Sequence, residues 1–140
     1  MTIEIKPEII KEIAEMLDTG MVCFYHKTNG EMESYPDEFQ NPGFDEEMWT
    51  EVIDKVKKNY GDYIRFESMS SPEAFRAMEN FIDDIPDTST HNKFIDAISR
   101  KKPFRHFNDL LLDYPELRKQ WFDHKLKRYI EFVIEQIELE

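Results

Sequence analysis

The fold is decided by residues 21–35, whose sequence is MVCFYHKTNGEMESY. Residues 21–26 are rich in β-branched and aromatic side chains, which favour an extended strand. Residues 31–35 alternate in polarity and predict the returning strand. Between them lies Asn29-Gly30, a dipeptide that tolerates positive φ and favours a tight two-residue turn. The sequence therefore predicts an antiparallel β-hairpin.

Helical patterns flank this hairpin on both sides. Apolar residues recur at helical spacing, and proline or glycine bounds most of the segments. We predict helices over residues 7–17, 44–60, 71–85, 88–102, 104–113 and 115–138, and a third strand over 63–67. A sheet of three strands cannot bury itself, so helices must cover it. The predicted fold class is α+β: a helix-rich single domain, residues 1–140, of about six helices with a small three-stranded antiparallel sheet.

The same patterns predict which residues cap the helices and which enter the core. Ser71 is expected to cap the third helix, with Pro72 in its first position. Apolar stripes place the following aromatic and methionine side chains inward: Met48, Trp49, Tyr60, Phe104 and Phe122.

Length and composition exclude several classes of protein. A chain of 140 residues is the size of one domain and can build a core without disulfides. Cys23 is the single cysteine, so an intrachain disulfide is impossible, which suits a reducing compartment. Residues 1–6 lack the apolar core of a signal peptide, and no apolar run reaches membrane-spanning length. We expect a cytoplasmic protein without a membrane partner.

Charge is distributed unevenly along the chain. The net charge is -12, made up of -13 over residues 1–92, +5 over residues 93–128 and -4 over residues 129–140. The overall negative charge argues against extensive nucleic-acid binding, which requires phosphate neutralisation by Lys and Arg. The basic segment either packs on the protein's own acidic half or meets an acidic partner, and the sequence leaves both interpretations open.

The basic segment contains the best candidate site, the run RKKPFRHF at residues 100–107. The cations form the end of one predicted helix there, and Pro103 separates it from the next predicted helix. A phosphate, a carboxylate or an acidic peptide could be held where the cations meet the amides of the new helix. The candidate binding residues are Arg100, Lys101, Lys102, Arg105 and His106, with Trp121 as a surface anchor nearby. The alternative is that these cations only complement a helix C-terminus and screen nearby acids.

No catalytic residue, cofactor site or metal site is assigned from the sequence. His106 and Asp109 stand at i, i+3 and could reach one cation, but zinc requires three or four ligands. Cys23 lacks a base, because His26 points to the opposite face of the strand, and is expected to be a core residue. No GxGxxG, P-loop or EF-hand pattern is present.

Three patches carry a resemblance to a known family. They are the hairpin at 21–35, the stretch 63–66 leading into SPEAFRAMENFI at 71–82, and FRHFNDL at 104–110 followed by Trp121-Phe122. In order and spacing, over roughly residues 21–130, they resemble the bacterial set called uncharacterised protein family 0158. The family usually shows a glycine-flanked basic residue followed by Phe-Arg-Arg-Phe-Lys. Here residues 99–103 read Ser-Arg-Lys-Lys-Pro, without the glycines, and residues 104–108 read Phe-Arg-His-Phe-Asn. The resemblance implies a small bacterial cytosolic protein of this fold and no particular chemistry.

The sequence therefore supports one leading function and three alternatives. The leading hypothesis is a non-enzymatic binding or regulatory module that recognises an acidic or phosphorylated partner through residues 100–106. An enzyme would need His91 or His106 brought beside distant carboxylates, and a weak nucleic-acid binder would show steep salt dependence. The wide apolar stripe from Phe122 to Ile137 of the last helix is also compatible with homo-oligomerisation.

Overall fold

A computed structural model describes residues 4–139 and shows the predicted α+β fold. Its helices are α1 (Pro7–Asp18), α2 (Thr50–Lys58), α3 (Ser71–Asp83), α4 (Thr88–Ile98), α5 (Pro103–Leu111) and α6 (Pro115–Glu138). Its strands are β1 (Met21–His26), β2 (Met32–Pro36) and β3 (Tyr63–Phe66). None of these helices is both long and apolar enough to cross a bilayer. The sequence predicts no signal peptide in residues 1–6, and residues 1–3 of that segment lie outside the described residues.

The described chain forms two compact units. The sheet unit takes in the described residues through Ser68 together with those from Tyr129 on, and the helical unit is Met69–Arg128. Helix α6 contributes its first part to the helical unit and its last part to the sheet unit. The single-domain organisation expected from chain length stays a prediction.

Strand β1 is the centre of the sheet unit. The strand order is β2-β1-β3, with both neighbours antiparallel to β1. Side chains alternate along a strand, so Val22 and Phe24 face one side and Cys23 faces the other. Val22 and Phe24 pack with Val56 of α2, whereas the Cys23 Sγ lies 3.8 Å from the Met16 Sδ of α1. Helices therefore cover both faces of β1.

The hairpin turn is wider than the sequence predicts. The His26 N–H donates to the Glu31 carbonyl at 2.8 Å, which leaves a four-residue loop over 27–30. Within that loop only Gly30 has positive φ, at 74°. Asn29 instead uses its side-chain oxygen to accept a hydrogen bond from the Glu31 N–H at 2.9 Å. The prediction of a tight two-residue Asn-Gly turn is therefore wrong, because this side-chain bond stabilises the longer loop.

The helix predicted over 44–60 is divided into three pieces. A 3₁₀ turn at Glu46–Trp49 precedes α2, and a second one at Tyr60–Asp62 follows it. The Asp45 carboxylate accepts a hydrogen bond from the Glu47 N–H at 3.1 Å and caps the first turn. The change of helical pitch alters which residues face inward, so part of the predicted stripe is wrong. Met48 and Tyr60 are exposed, and Trp49 is half-buried.

Aromatic packing holds the helical unit together. The Phe107 ring of α5 lies 4.9 Å from that of Trp121 on α6, 5.6 Å from that of Phe94 on α4 and 6.4 Å from that of Phe81 on α3, between ring centroids. Edge-to-face pairs at these distances add to the free energy gained from burial. The buried cluster comprises Ala77, Met78, Phe81, Ile82, Ile85, Phe94, Ile98, Phe107, Leu111 and Trp121.

The cap of α3 lies one residue earlier than the sequence predicts. The Ser70 Oγ accepts a hydrogen bond from the Glu73 N–H at 3.3 Å, and a Glu73 side-chain oxygen accepts one from the Ser70 N–H at 3.4 Å. This reciprocal pair is a capping box. Ser71 is therefore the first helical residue rather than the cap, and Pro72 occupies the second position.

The central position of Phe107 gives a test of the helical core. Truncation of this fully buried ring in Phe107→Ala should lower the free energy of unfolding by about 3–5 kcal/mol, measured by urea denaturation. Phe39 is 92% exposed, so Phe39→Ala should change it by no more than about 0.5 kcal/mol. Similar losses in the two variants would contradict the packing described here.

Candidate functional site

The predicted basic site lies at the link between two helices, which we call the α4–α5 junction (residues 99–106). Helix α4 ends at Ile98, and the Ser99 hydroxyl donates a hydrogen bond back to the Ile95 carbonyl at 2.7 Å. Lys102, the residue before α5, has φ 57° and ψ 57° and is the only non-glycine residue with positive φ among residues 4–139. A left-handed conformation costs an L-residue roughly 1–2 kcal/mol. The turn at the junction therefore requires a backbone conformation that is sterically unfavourable for lysine.

The N-terminus of α5 presents free amide donors. Lys102 occupies the capping position, and its side chain carries no acceptor with which to cap the helix. The first helical hydrogen bond runs from the His106 N–H to the Lys102 carbonyl at 3.2 Å. The N–H groups of Phe104 and Arg105 have no hydrogen-bond partner within residues 4–139. Such groups give a helix N-terminus partial positive charge.

Four exposed cations lie in the same short stretch as these amides. They are Arg100, Lys101, Lys102 and Arg105. The Arg100 Nη2 lies 2.6 Å from the Asp96 Oδ2, and the Arg105 Nε lies 3.9 Å from the Asp109 Oδ2. Both pairs are solvent-exposed and join residues four apart in sequence, and such pairs contribute only about 0.2–1 kcal/mol. Within the described part of the chain, Lys101 and Lys102 have no ion pair.

A groove of about 360 Å³ runs between α4 and α5 beside the junction. Its charged and polar lining comes from Lys93 and Asp96 of α4 with Arg100 just after that helix, and from His106 and Asp109 of α5 with Asp113 just after that helix. The groove therefore brings Arg100 and His106 together, whereas Lys101, Lys102 and Arg105 do not line it. Asp96 and Asp113 were not predicted site residues, although the i, i+4 spacing of Asp96 and Arg100 indicates an ion pair.

Trp121 does not lie at the surface as predicted. Only 5% of the residue is exposed, and its ring packs 5.4 Å from that of Phe81. Phe122, which the stripe placed in the core, is 46% exposed and lies 4.8 Å from the Arg118 guanidinium. Both predictions are wrong because the buried face begins one residue earlier, at Trp121, whereas Tyr129, Val133 and Ile137 of the predicted stripe are buried as expected. Phe104 also lies outside the core, with its ring edge-on to that of Phe75.

The structure offers Cys23 no role as a nucleophile. Its side chain is buried as predicted, and desolvation together with the Glu12 charge raises the pKa of the thiol from 9.0 to about 12, against a smaller lowering by the Phe24 backbone. The neutral thiol is a poor nucleophile and a poor metal ligand. Among residues 4–139, no group of three or more His, Cys, Asp and Glu side chains is placed to hold a metal ion.

The charge asymmetry of the sequence coincides with the division into units. The sheet unit holds 7 Lys and Arg against 20 Asp and Glu, whereas the helical unit holds 11 against 10. The helical unit is therefore close to neutral, and its cations concentrate toward the α4–α5 junction and α6. This clustering places positive charge at the junction, and the other charges of the chain add to the potential there.

These features define a small α+β protein with an exposed cationic junction between two helices. The family model of the Uncharacterised protein family (UPF0158) matches residues 5–140, and the chain belongs to this family, as its sequence patches predicted. It is similar to UPF0158 protein PA5073 of Pseudomonas aeruginosa, with 24% identity over 70 residues. That match covers 50% of this chain and 46% of the relative, so it spans about half the length of each. No solved structure matches the chain.

The left-handed backbone of Lys102 predicts that glycine is preferred there. Lys102→Gly should raise the free energy of unfolding by about 1 kcal/mol, because glycine has no steric penalty at positive φ. The neighbouring Lys101 has no positive φ, so Lys101→Gly should lower that free energy. Thermal and urea unfolding of the two variants checks the difference, and the opposite order would refute the turn geometry.

The environment of Cys23 predicts a specific pH dependence. The folded pKa of the thiol lies above its unfolded value, so ionisation favours the unfolded chain, and this contribution to stability falls as pH rises from about 9 toward 12. The stability of the native protein should therefore decline faster over this range than that of Cys23→Ala, measured by urea unfolding.

At pH 8 the native thiol should react with a disulfide reagent only as fast as the protein opens. Immediate labelling would contradict this.

Proposed function

We propose that this protein is a cytoplasmic, non-enzymatic binding module that engages an acidic or phosphorylated partner through the α4–α5 junction. The observation that carries the proposal is the clustering of four exposed cations within residues 100–105, the stretch that also holds the N–H groups of Phe104 and Arg105, which have no hydrogen-bond partner among the described residues. Anionic oxygen atoms are the complementary chemistry, since helix N-termini and Arg or Lys side chains both bind carboxylate and phosphate groups.

Such a partner would readily displace the existing ion pairs of the junction. Among the described residues, Arg100 and Arg105 pair only with exposed carboxylates four residues away in sequence, and Lys101 and Lys102 have no ion pair. Exchanging these weak contacts for charge-assisted hydrogen bonds to phosphate or carboxylate gains about 1.5–3 kcal/mol for each bond made. The two arginines pair with Asp96 and Asp109 and not with the acids of residues 69–92.

An enzymatic function is the second candidate, and it draws on the groove between α4 and α5. His106, Asp109 and Asp113 line one wall of that groove, and such groups can transfer protons. The opposite wall carries Lys93 and Arg100 beside Asp96, so the groove holds both signs of charge. The binding function is favoured because the exposed lysines and the free amides lie outside this groove. A proton transfer within the groove would give them no role.

A titration of the ¹⁵N-labelled full chain tests the proposal with three probes. Inorganic phosphate, an octaglutamate peptide and a short oligothymidylate separate phosphate, carboxylate and nucleic-acid ligands. We expect phosphate or the peptide to shift the amide signals of residues 99–106, those of Phe104 and Arg105 most. Binding of the oligonucleotide alone, with a steep salt dependence, would favour the nucleic-acid alternative. No response to any probe would refute the proposal.

Paired charge reversals show whether the binding is local. Lys101→Glu/Lys102→Glu should weaken binding at least tenfold, which corresponds to about 1.4 kcal/mol. Lys11→Glu/Lys58→Glu is the matched control, because it changes the formal charge equally at two exposed lysines of the sheet unit. Equal weakening by both double variants would show a general charge effect and not a site. Circular dichroism confirms that each variant is folded.

A further inference from the structure

A second cavity, in the sheet unit, is independent of the α4–α5 junction. We call it the loop cavity; it has a volume of about 220 Å³ and lies where the segment from β2 to α2 passes the sheet. Val22 of β1, Phe44 of the segment and Ile53 of α2 give it an apolar lining. Tyr35 and Phe39 add aromatic rings. A concave apolar site with a few polar groups is the usual form of a small-molecule pocket.

Charges of opposite sign face this cavity from different elements. Asp37, Glu38 and Glu46 come from the segment between β2 and α2, whereas Lys57 comes from α2 and Arg65 from β3. Among the described residues, no carboxylate of the first group lies within 4.0 Å of either cation. Arg65 pairs instead with Glu67, at 3.1 Å from Nη1 to Oε2. The carboxylates and the cations of the cavity lining therefore come from different elements and are not paired with one another.

The segment that carries the acids is fixed in place. The Asp37 N–H donates to the Gly20 carbonyl at 2.9 Å, and the Asn41 side chain donates to the same carbonyl at 2.9 Å. The Asp37 Oδ1 accepts a hydrogen bond from the Phe39 N–H at 3.1 Å. A β-carbon on Gly20, which has φ 86°, would come within 3.2 Å of the Asn41 amide. Such anchoring reduces the ordering cost of binding.

We propose that the loop cavity binds a free amino acid with an apolar side chain. Its ammonium group faces the carboxylates of the segment, its carboxylate faces Lys57 and Arg65, and its side chain covers the apolar lining. A ligand with one charge alone would leave one side of the cavity unsatisfied. The volume holds about seven water molecules, the room that a residue such as valine or leucine fills. Phe39, 92% exposed at the cavity, would gain apolar cover from the same ligand.

Charge-deleted analogues test the need for both ends of the ligand. The ¹⁵N-labelled full chain is titrated with L-leucine, L-valine and L-methionine up to about 10 mM, a range that detects even weak binding. We expect at least one to shift the amide signals of Tyr35, Asp37, Ile53 and Arg65. Its N-acetyl form lacks the ammonium group and its amide lacks the carboxylate, so each should bind at least tenfold more weakly. Absence of binding by all three, or equal binding by either analogue, overturns the proposal.

Neighbouring residues provide matched control variants. Lys57→Met and Glu46→Gln should each weaken binding about tenfold, because each removes one charge from the cavity lining. Lys58→Met and Glu47→Gln remove the same charges from exposed neighbours that do not line it, and should leave the affinity within twofold. Equal effects within either pair would overturn the proposal. Lys101→Glu/Lys102→Glu should not affect amino-acid binding, so failure here is separable from failure at the junction.

Discussion

The two-sided burial of strand β1 is the constraint on which the sheet unit depends. Val22, Cys23 and Phe24 are consecutive and all buried, so apolar side chains project from both faces of the central strand. A sheet of three strands supplies no cover of its own, and α1 and α2 must therefore lie on opposite sides of it. The segment between β2 and α2 has to run past the sheet to the face that α2 covers. The loop cavity is a consequence of that passage.

In the helical unit, the comparable constraint is the packing of aromatic rings around Phe107. This ring contacts rings from the neighbouring helices α3, α4 and α6, so α4 and α5 must approach closely over a short link. All four residues of the link are exposed, so its three cations Arg100, Lys101 and Lys102 remain in solvent, as does Arg105 at the start of α5. The left-handed Lys102 is part of the same constraint, because a short link between closely packed helices needs a sharp turn.

The sequence predicted the elements well and their inward faces less well. Prolines at 7 and 115 mark helix starts correctly, because proline fits the first turn of a helix. Pro103 is the first residue of α5, one before the predicted start, and α4 already ends at Ile98, so the prediction that it continues to residue 102 is wrong. The start of the inward face of α6 was misplaced, since Trp121 and Phe122 are adjacent and both apolar. Trp121 is buried against Phe81 and Phe107, and these tertiary contacts are not visible in the sequence. The basic run of the candidate site was visible in the sequence, whereas its pairing with Asp96 and Asp109 depended on helix phase.

The two proposed sites use charge in different ways, and this follows from their surroundings. At the junction, charges of one sign stand in water, where counterions screen interactions beyond about 8 Å at physiological ionic strength. Recognition there requires a ligand with dense negative charge and close contact. In the loop cavity, charges of both signs stand beside apolar side chains, so a ligand there has to match both signs as well as the apolar lining. A small dipolar ligand can therefore be selected there without net charge. The surplus of acids in the sheet unit does not oppose such a ligand, because it carries no net charge for the surrounding field to repel.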